Sequence, residues 1–447
     1  MFFDRPEAGR RAVVLHLQFK DRSIAEPDSP EECVELARSA GVEVVETMLG
    51  SRQKPDPRAF IGSGKVEELK ALLADANADL VIANHSLSPT QQRNLESALG
   101  CRVMTRTELI LHIFADRART YEGKLQVELA QLQHAQTRLV RGWTHLERQK
   151  GGIGLRGGAG ETQLELDQRM LAERVRATEQ KLEAVESRRA QGRRRRQRGQ
   201  IRTIALVGYT NAGKSSLFNA LTAASVLAED KLFATLDPTM RQLRIPGVGA
   251  VVLADTVGFV SHLPHALVKA FKATLEEVAN ADLLLHVVDA AGPDPGERIE
   301  QVNAVLAEIG ARSLPTIVVL NKMDALPPER AGVPALGLDD VPVVPVSART
   351  GSGLPALVDA IAAALGVSAP VMLTLGPTDG RLRAFLYRMG AVLEESPGDD
   401  GGSAILLQGE PALLDRVERE APGLLQRSGV LPRLAPAPDP EYDKEHV

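Results

Sequence analysis

The chain has 447 residues, of which 44% are hydrophobic, 25% are charged and only 3% are aromatic, and its formal net charge is -5. This composition predicts a globular protein of roughly two to four domains and argues against a generally basic nucleic-acid binder. Two cysteines, Cys33 and Cys101, support neither a disulfide framework nor a zinc site, and no apolar run approaches the length of a membrane span. We therefore expect a cytoplasmic protein.

The first part of the chain alternates short apolar runs with helical patterns. Residues 12–17, 42–48 and 79–84 read as strands. Between the first two, Ser29 is a plausible N-cap, Pro30 suits the first turn and Gly41 suits the stop of a helix. Alternating strands and helices predict a small α/β subdomain with a parallel sheet over residues 1–120.

A long helical hairpin is predicted over residues 121–200. Apolar residues recur at helical spacing on both sides of a glycine-rich stretch, namely Leu125, Leu129, Leu132, Leu139, Leu171, Val175, Leu182 and Val185. The stretch itself, GGIGLRGGAGETQLE at 151–165, spells G-x-G-x-x-G. Because a helix and not a strand precedes it, we reject a dinucleotide site and place residues 150–160 at the hairpin tip. The run Arg193–Arg196 is either a solvated linker or an RNA surface.

A phosphate-binding loop follows the next apolar strand. GYTNAGKS, from Gly208 to Ser215, matches G-x-x-x-x-G-K-[ST] between a strand and a helical stretch. Its backbone N–H groups would cradle phosphates, Lys214 would reach the β- and γ-phosphates, and the Ser215 hydroxyl would bind Mg²⁺.

A guanine-recognition motif stands about 110 residues further on, at the end of another apolar strand. In NKMD, from Asn321 to Asp324, the carboxylate can accept from guanine N1–H and the 2-amino group, which adenine does not offer. In SART, from Ser347 to Thr350, the Ala348 N–H would close the base pocket.

Two elements lie between these motifs. DTVGF, from Asp255 to Phe259, supplies D-x-x-G, in which Asp255 would hold Mg²⁺ through water and the Gly258 N–H would sense the γ-phosphate. LFATLDPT lies about twenty residues after the phosphate loop, where a GTPase has its first switch. We expect Thr235 to be the second protein ligand of Mg²⁺, with Thr239 as the rival.

Apolar strands alternating with helices around these motifs predict a doubly wound, mostly parallel α/β domain over residues 201–367. Residues 368–447 predict a small C-terminal α/β domain, with a strand at VMLTLG, a helix at GRLRAFLYRMGAVLEE and a strand at GSAILLQG. The Pro-rich tail is predicted to be disordered.

The ordered motifs resemble the HflX GTPases of the Obg–HflX group of translation-factor-like P-loop GTPases. The resemblance covers most of the chain, to about Gly366. It rests also on FIGSGKVEEL (Phe60–Leu69), RTELILHIFADRA (Arg106–Ala118), GKLQVELAQL (Gly123–Leu132), the glycine loop with ETQLE, and LFATLDPT. Thr105 and His112 stand where members of the family commonly have Asp, and Ala159 stands where the glycine loop often has Pro.

The predicted nucleotide site combines the motifs with the aligned switch, and the alignment of FATLD supports Thr235. Its catalytic members are Lys214, Thr235, Asp255 and Gly258, and its metal ligands are Ser215 and Thr235. The nucleotide-binding set is Gly208, Tyr209, Thr210, Asn211, Ala212, Gly213, Lys214, Ser215, Ser216, Phe233, Ala234, Thr235, Leu236, Asp237, Asp255, Thr256, Val257, Gly258, Asn321, Lys322, Met323, Asp324, Ser347, Ala348 and Arg349.

Slow unaided GTP hydrolysis is expected, because Phe259 follows D-x-x-G where Ras-like enzymes have a water-orienting Gln. In related GTPases an Asn at the position of Asn211 helps to bind K⁺, although simple turn chemistry would also explain this residue.

The resemblance implies a ribosome-binding GTPase that acts through the large subunit, splits or rescues stalled ribosomes and is released on hydrolysis. It also implies that the hairpin tip reaches toward the peptidyl-transferase region, where Arg148, Lys150 and Arg156 would meet RNA phosphates; a turn without a partner is the alternative. An RNA-remodelling NTPase and a GTPase signalling scaffold are the rival functions. We expect a monomer.

Overall fold

The computed structural model describes residues 11–21, 29–143, 158–198, 201–222, 232–233, 239–246, 248–260, 272–326, 341–366, 371–398, 401–407 and 411–424. The chain divides into two compact units. The first comprises Met1–Arg241 and Leu253–Ser352, and the second comprises Gln242–Val252 and Gly353–Val447. No helix among the described ranges is long and apolar enough to cross a membrane.

The first unit begins with a four-stranded sheet. Its strands are β1 (Arg11–Phe19), β2 (Glu43–Arg52), β3 (Leu80–Ala83) and β4 (Arg102–Thr105), in the order β2-β1-β3-β4. Every pair is parallel, which confirms the prediction from the sequence. The connecting helices are α1 (Pro30–Ser39), α2 (Ser63–Asp75) and α3 (Pro89–Leu99). β1 and β3 are buried along most of their length, as expected of central strands between two helical layers.

The start of α1 follows from its capping residues. Ser29 accepts a hydrogen bond from the Glu32 N–H at 3.3 Å, and Pro30 occupies the first turn, where its missing N–H costs nothing. After the helix, Gly41 has a φ of 78°, a left-handed conformation that favours glycine. The predicted N-cap and stop are confirmed.

Helix α4 (Arg106–Arg117) begins directly after β4 with a capping box. The Thr105 hydroxyl accepts from the Glu108 N–H, and the Glu108 carboxylate accepts from the Thr105 N–H. Thr105 therefore supplies the short side-chain oxygen that a helix N-cap requires.

Two long helices follow, α5 (Tyr121–Trp143) and α6 (Gly158–Arg198). They pack through a cluster of the predicted leucines and valines: Leu125, Leu129, Leu132, Leu171, Val175 and Leu182. Residues 150–157 of the predicted hairpin tip, 150–160, lie outside the described residues. The last part of the glycine-rich stretch differs from a loop, since α6 already begins at Gly158 and includes residues 158–165.

A six-stranded sheet carries the phosphate loop and has the order β10-β9-β8-β5-β7-β6. Its strands are β5 (Thr203–Val207), β6 (Thr239–Ile245), β7 (Gly249–Asp255), β8 (Leu283–Asp289), β9 (Thr316–Asn321) and β10 (Val343–Pro345), and its helices in the first unit are α7 (Lys214–Thr222), α8 (Lys272–Ala279) and α9 (Pro295–Glu308). The pairs β5–β8, β8–β9 and β9–β10 are parallel. This confirms the P-loop GTPase fold; β6 is an additional strand that we did not predict.

The second unit contains α10 (Leu354–Ala364) and a three-stranded sheet of order β11-β13-β12. β11 (Val371–Leu375), β12 (Val392–Pro397) and β13 (Ser403–Leu407) pair antiparallel, with α11 (Gly380–Met389) after β11 and α12 (Pro411–Glu420) after β13. The single helix predicted over GRLRAFLYRMGAVLEE is wrong. Gly390 ends α11 with a φ of 70°, and the chain then turns into β12. The predicted disordered tail lies outside the described residues.

Candidate nucleotide site

The phosphate loop joins the buried strand β5 to α7, as the motif predicts. Two of its glycines have no room for a side chain. A methyl group on Gly208 would come within 2.2 Å of the Val287 carbonyl oxygen, and one on Gly213 within 2.2 Å of Asn321 Nδ2. Asn211 has a φ of 60°, a left-handed conformation that Asn tolerates better than most residues. The loop backbone is thus held close against β8 and β9.

Lys214 is buried within the loop. Its ammonium donates to the carbonyl oxygens of Gly208 and Tyr209, at 3.0 and 2.7 Å. Burial lowers the pKa of Lys214 to about 8, although the negative charge of Asp255 opposes this shift. A phosphate group at the loop would favour the charged ammonium, so the site is prepared to gain a proton when an anion binds.

The two predicted magnesium residues of the loop and of D-x-x-G lie together. Ser215 Oγ donates to Asp255 Oδ2 at 2.8 Å, and Asp255 is fully buried. Mg²⁺ is bound by oxygen ligands, and a hydroxyl beside a buried carboxylate provides two of them. Thr235 lies outside the described residues, and its rival Thr239 is the first residue of β6.

The D-x-x-G segment is joined to the phosphate loop through the main chain. The Thr210 N–H donates to the Phe259 carbonyl at 2.8 Å, and the Phe259 N–H donates to the Gly208 carbonyl at 3.1 Å. Between these residues, a methyl group on Gly258 would come within 3.0 Å of Lys214 Nζ. The glycine that is predicted to sense the γ-phosphate therefore lies directly beside the lysine that is predicted to bind it.

The predicted base pocket is assembled from β9 and the segment after β10. Asn321 connects it to the phosphate loop, because its Nδ2 donates to the Ala212 carbonyl at 3.0 Å and its Oδ1 accepts from the Ala348 N–H at 3.0 Å. Ser347 Oγ donates to Asp324 Oδ1 at 2.6 Å, and this hydrogen bond lowers the pKa of Asp324. Asp324 is exposed and remains ionised, so it offers an acceptor to an incoming base.

Lys322 anchors the motif through an ion pair. It adopts a left-handed φ of 62°, and its ammonium lies 2.7 Å from the Asp289 carboxylate at the end of β8. The backbone of the motif is anchored as well, since the Ala290 N–H donates to the Asn321 carbonyl at 2.9 Å. The motif residues are thereby held at the carboxyl ends of β8 and β9.

Most of the predicted nucleotide set lies around this one edge of the sheet. Ser216 and Arg349 are exposed there, and Thr256 is buried with its hydroxyl donating to the Leu206 carbonyl at 2.6 Å. Four predicted members, Ala234, Thr235, Leu236 and Asp237, lie outside the described residues. Their roles, like those of the described members, stay predictions.

A buried polar network that we did not predict connects the phosphate loop to α1 and α4. The Tyr209 hydroxyl donates to Glu32 Oε2 at 2.7 Å, and the Arg298 guanidinium lies 4.0 Å from the centre of the Tyr209 ring. Glu32 is only 6% exposed and is paired with Arg106 at 2.8 Å. Arg106 also donates to Asn84 Oδ1 at 3.2 Å. No motif indicated this network, because Glu32 and Tyr209 are far apart in the sequence.

The first-switch region also contacts the N-terminal sheet domain. Phe233 is 2% exposed and meets Phe114 of α4 edge-to-face, with ring centres 4.5 Å apart. The neighbouring Leu232 N–H donates to Oγ of Ser39, the last residue of α1, at 3.1 Å. Burying a Phe side chain contributes about 2–3 kcal/mol, so this contact stabilises the position of Phe233 at the start of the predicted switch.

The predicted phosphate loop and base pocket occupy the carboxyl ends of strands in one mostly parallel sheet, where open α/β sheets bind ligands. Together with the D-x-x-G contact, they define a GTPase of the P-loop class. Three family models match the chain: "GTP-binding GTPase N-terminal" over residues 28–115, "GTP-binding GTPase Middle Region" over 117–196 and "50S ribosome-binding GTPase" over 203–322.

Relatives match over nearly the whole length. GTPase HflX of Escherichia coli is 50% identical over 426 residues, covering 92% of this chain and 99% of the relative. GTPase HflX of Magnetococcus marinus is 48% identical, covering 91% and 93%. A GTP-binding protein from Sulfolobus solfataricus, solved in complex with GDP, is 24% identical with a TM-score of 0.43, covering 79% of this chain and 98% of that one. The chain belongs to the HflX family of GTPases, and it hydrolyses GTP to GDP and phosphate.

Proposed function

We propose that this GTPase binds the ribosome through its large subunit and splits or rescues stalled ribosomes, with GTP ordering the switches and hydrolysis driving release. The match to the 50S ribosome-binding GTPase model supports a ribosomal partner. A ribosomal partner would place the protein in the cytoplasm, where we expect it to act as a monomer. We propose that the chain is organised in the four predicted segments, which are 1–120, 121–200, 201–367 and 368–447.

The observation that carries this proposal is the direct contact between the nucleotide site and the N-terminal part of the chain. The phosphate-loop residue Tyr209 donates to Glu32 of α1, and the switch residue Phe233 packs on Phe114 of α4. Helix α5 follows α4 after Ala118 and leads into the hairpin. A change in the switches on nucleotide exchange would therefore be transmitted to α1 and α4, and from α4 to the hairpin that follows it, as a ribosome-binding switch requires.

The hairpin tip is proposed as an RNA contact on sequence grounds, since residues 144–157 lie outside the described part of the chain. Arg148, Lys150 and Arg156 would neutralise RNA phosphates, and the glycines around them would allow a close approach. Rim charges of this kind change association with the partner and leave a distant nucleotide site unaffected.

Mg²⁺ is the proposed metal of the site, held by Ser215 and Thr235 directly and by Asp255 through water. GTPases of this class generally use Mg²⁺ to neutralise charge on the β- and γ-phosphates. The Ser215–Asp255 hydrogen bond at 2.8 Å fits that donor set. We also propose that Asn211 contributes to a K⁺ site, with faster hydrolysis in K⁺ than in matched Na⁺ buffer as its test; equal rates would refute it.

Co-sedimentation with large ribosomal subunits tests the proposed partner. The protein should pellet with 50S subunits in a non-hydrolysable GTP analogue and should not do so in GDP. Light scattering of intact ribosomes should then fall on addition of the protein with GTP. Binding to 50S without any loss of scattering would refute splitting and leave ribosome binding in place.

A charge-reversal pair tests the tip. The double variant Lys150→Glu, Arg156→Glu should lose at least about tenfold in ribosome affinity while GTP binding is unchanged. Arg169→Glu is the matched control, because Arg169 is an exposed arginine of α6 whose side chain is 78% accessible. If the double variant binds ribosomes like the control, the tip is only a turn. If the unaltered protein binds no ribosomes in either nucleotide, a signalling scaffold becomes the better description.

A further inference from the structure

The phosphate loop contains a buried threonine with an unused hydroxyl. Thr210 is 6% exposed, and its Oγ1 is buried without a hydrogen-bond partner among the described residues. A buried hydroxyl left unpaired costs roughly 1–3 kcal/mol, so each such group in a native structure calls for an explanation. Its main chain is not free to move away, because the Thr210 N–H donates to the Phe259 carbonyl at 2.8 Å.

The surroundings of Thr210 point to the reacting end of the nucleotide. A methyl group on Gly258 would meet Thr210 Cγ2 at 2.8 Å and Lys214 Nζ at 3.0 Å, so the threonine and the ammonium flank the same point. Lys214 is the predicted ligand of the β- and γ-phosphates, and Gly258 is the predicted sensor of the γ-phosphate. Thr210 therefore borders the predicted position of the γ-phosphate.

The next residue along D-x-x-G cannot serve that water. Phe259 is 3% exposed and belongs to an apolar cluster with Ala205, Val207 and Leu275. Its ring faces the core and offers neither a donor nor an acceptor. In the described part of this segment, Thr256 has a hydroxyl too, but that hydroxyl already donates to the Leu206 carbonyl at 2.6 Å.

We propose that the Thr210 hydroxyl accepts a hydrogen bond from the attacking water and donates one to a γ-phosphoryl oxygen during GTP hydrolysis. The water oxygen forms a bond to the γ-phosphorus, the bond from the γ-phosphorus to the bridging oxygen breaks, and its electron pair stays on the β-phosphate of GDP. The proton of the water passes to the phosphate that is formed. Thr210 neither gains nor loses a proton; it is a catalytic residue by contact, and it supplies orientation.

The substitution Thr210→Val tests this role, because valine keeps the shape of threonine and lacks the hydroxyl. The single-turnover rate of GTP hydrolysis should fall by about 100-fold, which is typical for the loss of one oriented hydrogen-bonding group at a reacting centre. The dissociation constant for GDP should stay within about twofold, because GDP lacks the γ-phosphate that the hydroxyl would contact and the loop is predicted to bind phosphates through its main-chain N–H groups. Thr210→Ser retains the hydroxyl and should keep a rate within about threefold.

Thr222→Val is the matched control. It makes the same substitution at the end of α7, where the hydroxyl donates to the Phe218 carbonyl at 2.7 Å and touches no predicted nucleotide ligand. The control should hydrolyse GTP at the rate of the unaltered protein. The proposal is overturned if Thr210→Val hydrolyses within about threefold of that rate, or if Thr210→Ser falls as far as Thr210→Val. Weakened GDP binding in Thr210→Val would also overturn it, because the side chain would then only support the loop.

Discussion

The buried pair Glu32–Arg106 should contribute strongly to the stability of the N-terminal sheet. Arg106→Met removes the cation and leaves the Glu32 carboxylate buried, 6% exposed, beside the Tyr209 hydroxyl at 2.7 Å and Arg298 at 3.4 Å. Breaking a buried pair from one side costs about 3–5 kcal/mol. Because two partners of Glu32 remain, we expect the lower end of that range, about 3 kcal/mol.

Amide hydrogen exchange measures this loss within the sheet itself. The amides of β1 and β3 should exchange roughly a hundredfold faster in Arg106→Met, since every 1.4 kcal/mol corresponds to about a factor of ten. Arg169→Met is the control: its pair with Glu173 is exposed, with side chains 78% and 62% accessible, and its loss should stay below about 0.5 kcal/mol. The double variant Glu32→Gln, Arg106→Met should recover part of the loss, because the buried side chain that has lost its main partner is then neutral. If exchange in Arg106→Met matches that of Arg169→Met, the network contributes nothing to stability and the reasoning fails.

Three further results are expected. Without a ligand the pKa of Lys214 is lowered to about 8, and a bound phosphate favours the charged ammonium, so GDP binding should take up about half a proton near pH 8 and weaken above it. Calorimetry in buffers of different ionisation enthalpy measures this proton uptake, and an uptake of zero would contradict the prediction. Asp324→Asn should lower GTP affinity by at least about a hundredfold and improve binding of xanthosine triphosphate, as nucleotide competition would show; unchanged preference would contradict the assigned base pocket. Gly213→Ala should abolish GDP binding, because its methyl group would lie 2.2 Å from Asn321 Nδ2; full binding by a folded variant would show that the loop shifts freely.

Local sequence patterns predict most of the fold. Strands β1, β3, β5, β8 and β9 are predominantly apolar, and α1 has its cap, its proline and its stop in the sequence. Strand β6, which the sequence does not predict, reads TMRQLRI and is half exposed. Its polar residues leave no apolar run that would indicate a strand. The boundary between α11 and β12 was misread although Gly390 marks it, because the apolar residues on both sides continue a helical rhythm.

The candidate site divides in the same way. Phosphate loop, D-x-x-G and N-K-x-D were found because each is a contiguous motif whose chemistry follows from its own residues. Contacts between distant segments were not found, since nothing local to Glu32 indicates that its carboxylate accepts from the hydroxyl of Tyr209. Even within a motif, the sequence does not predict every contact. The Asn321 amide connects the phosphate loop to the Ala348 N–H, and the four-residue pattern N-K-x-D gives no indication of this connection.

Helix α6 is long enough to convert a small rotation at one end into a large displacement at the other. Its 41 residues extend for about 61 Å, and it ends at Arg198, shortly before β5 begins at Thr203 and leads into the phosphate loop. A rod of that length converts a rotation of about 5° at its base into a displacement of about 5 Å at its far end. A rotation of that size would thus move the far end of α6 by about the size of a nucleobase, without any rearrangement inside the helix.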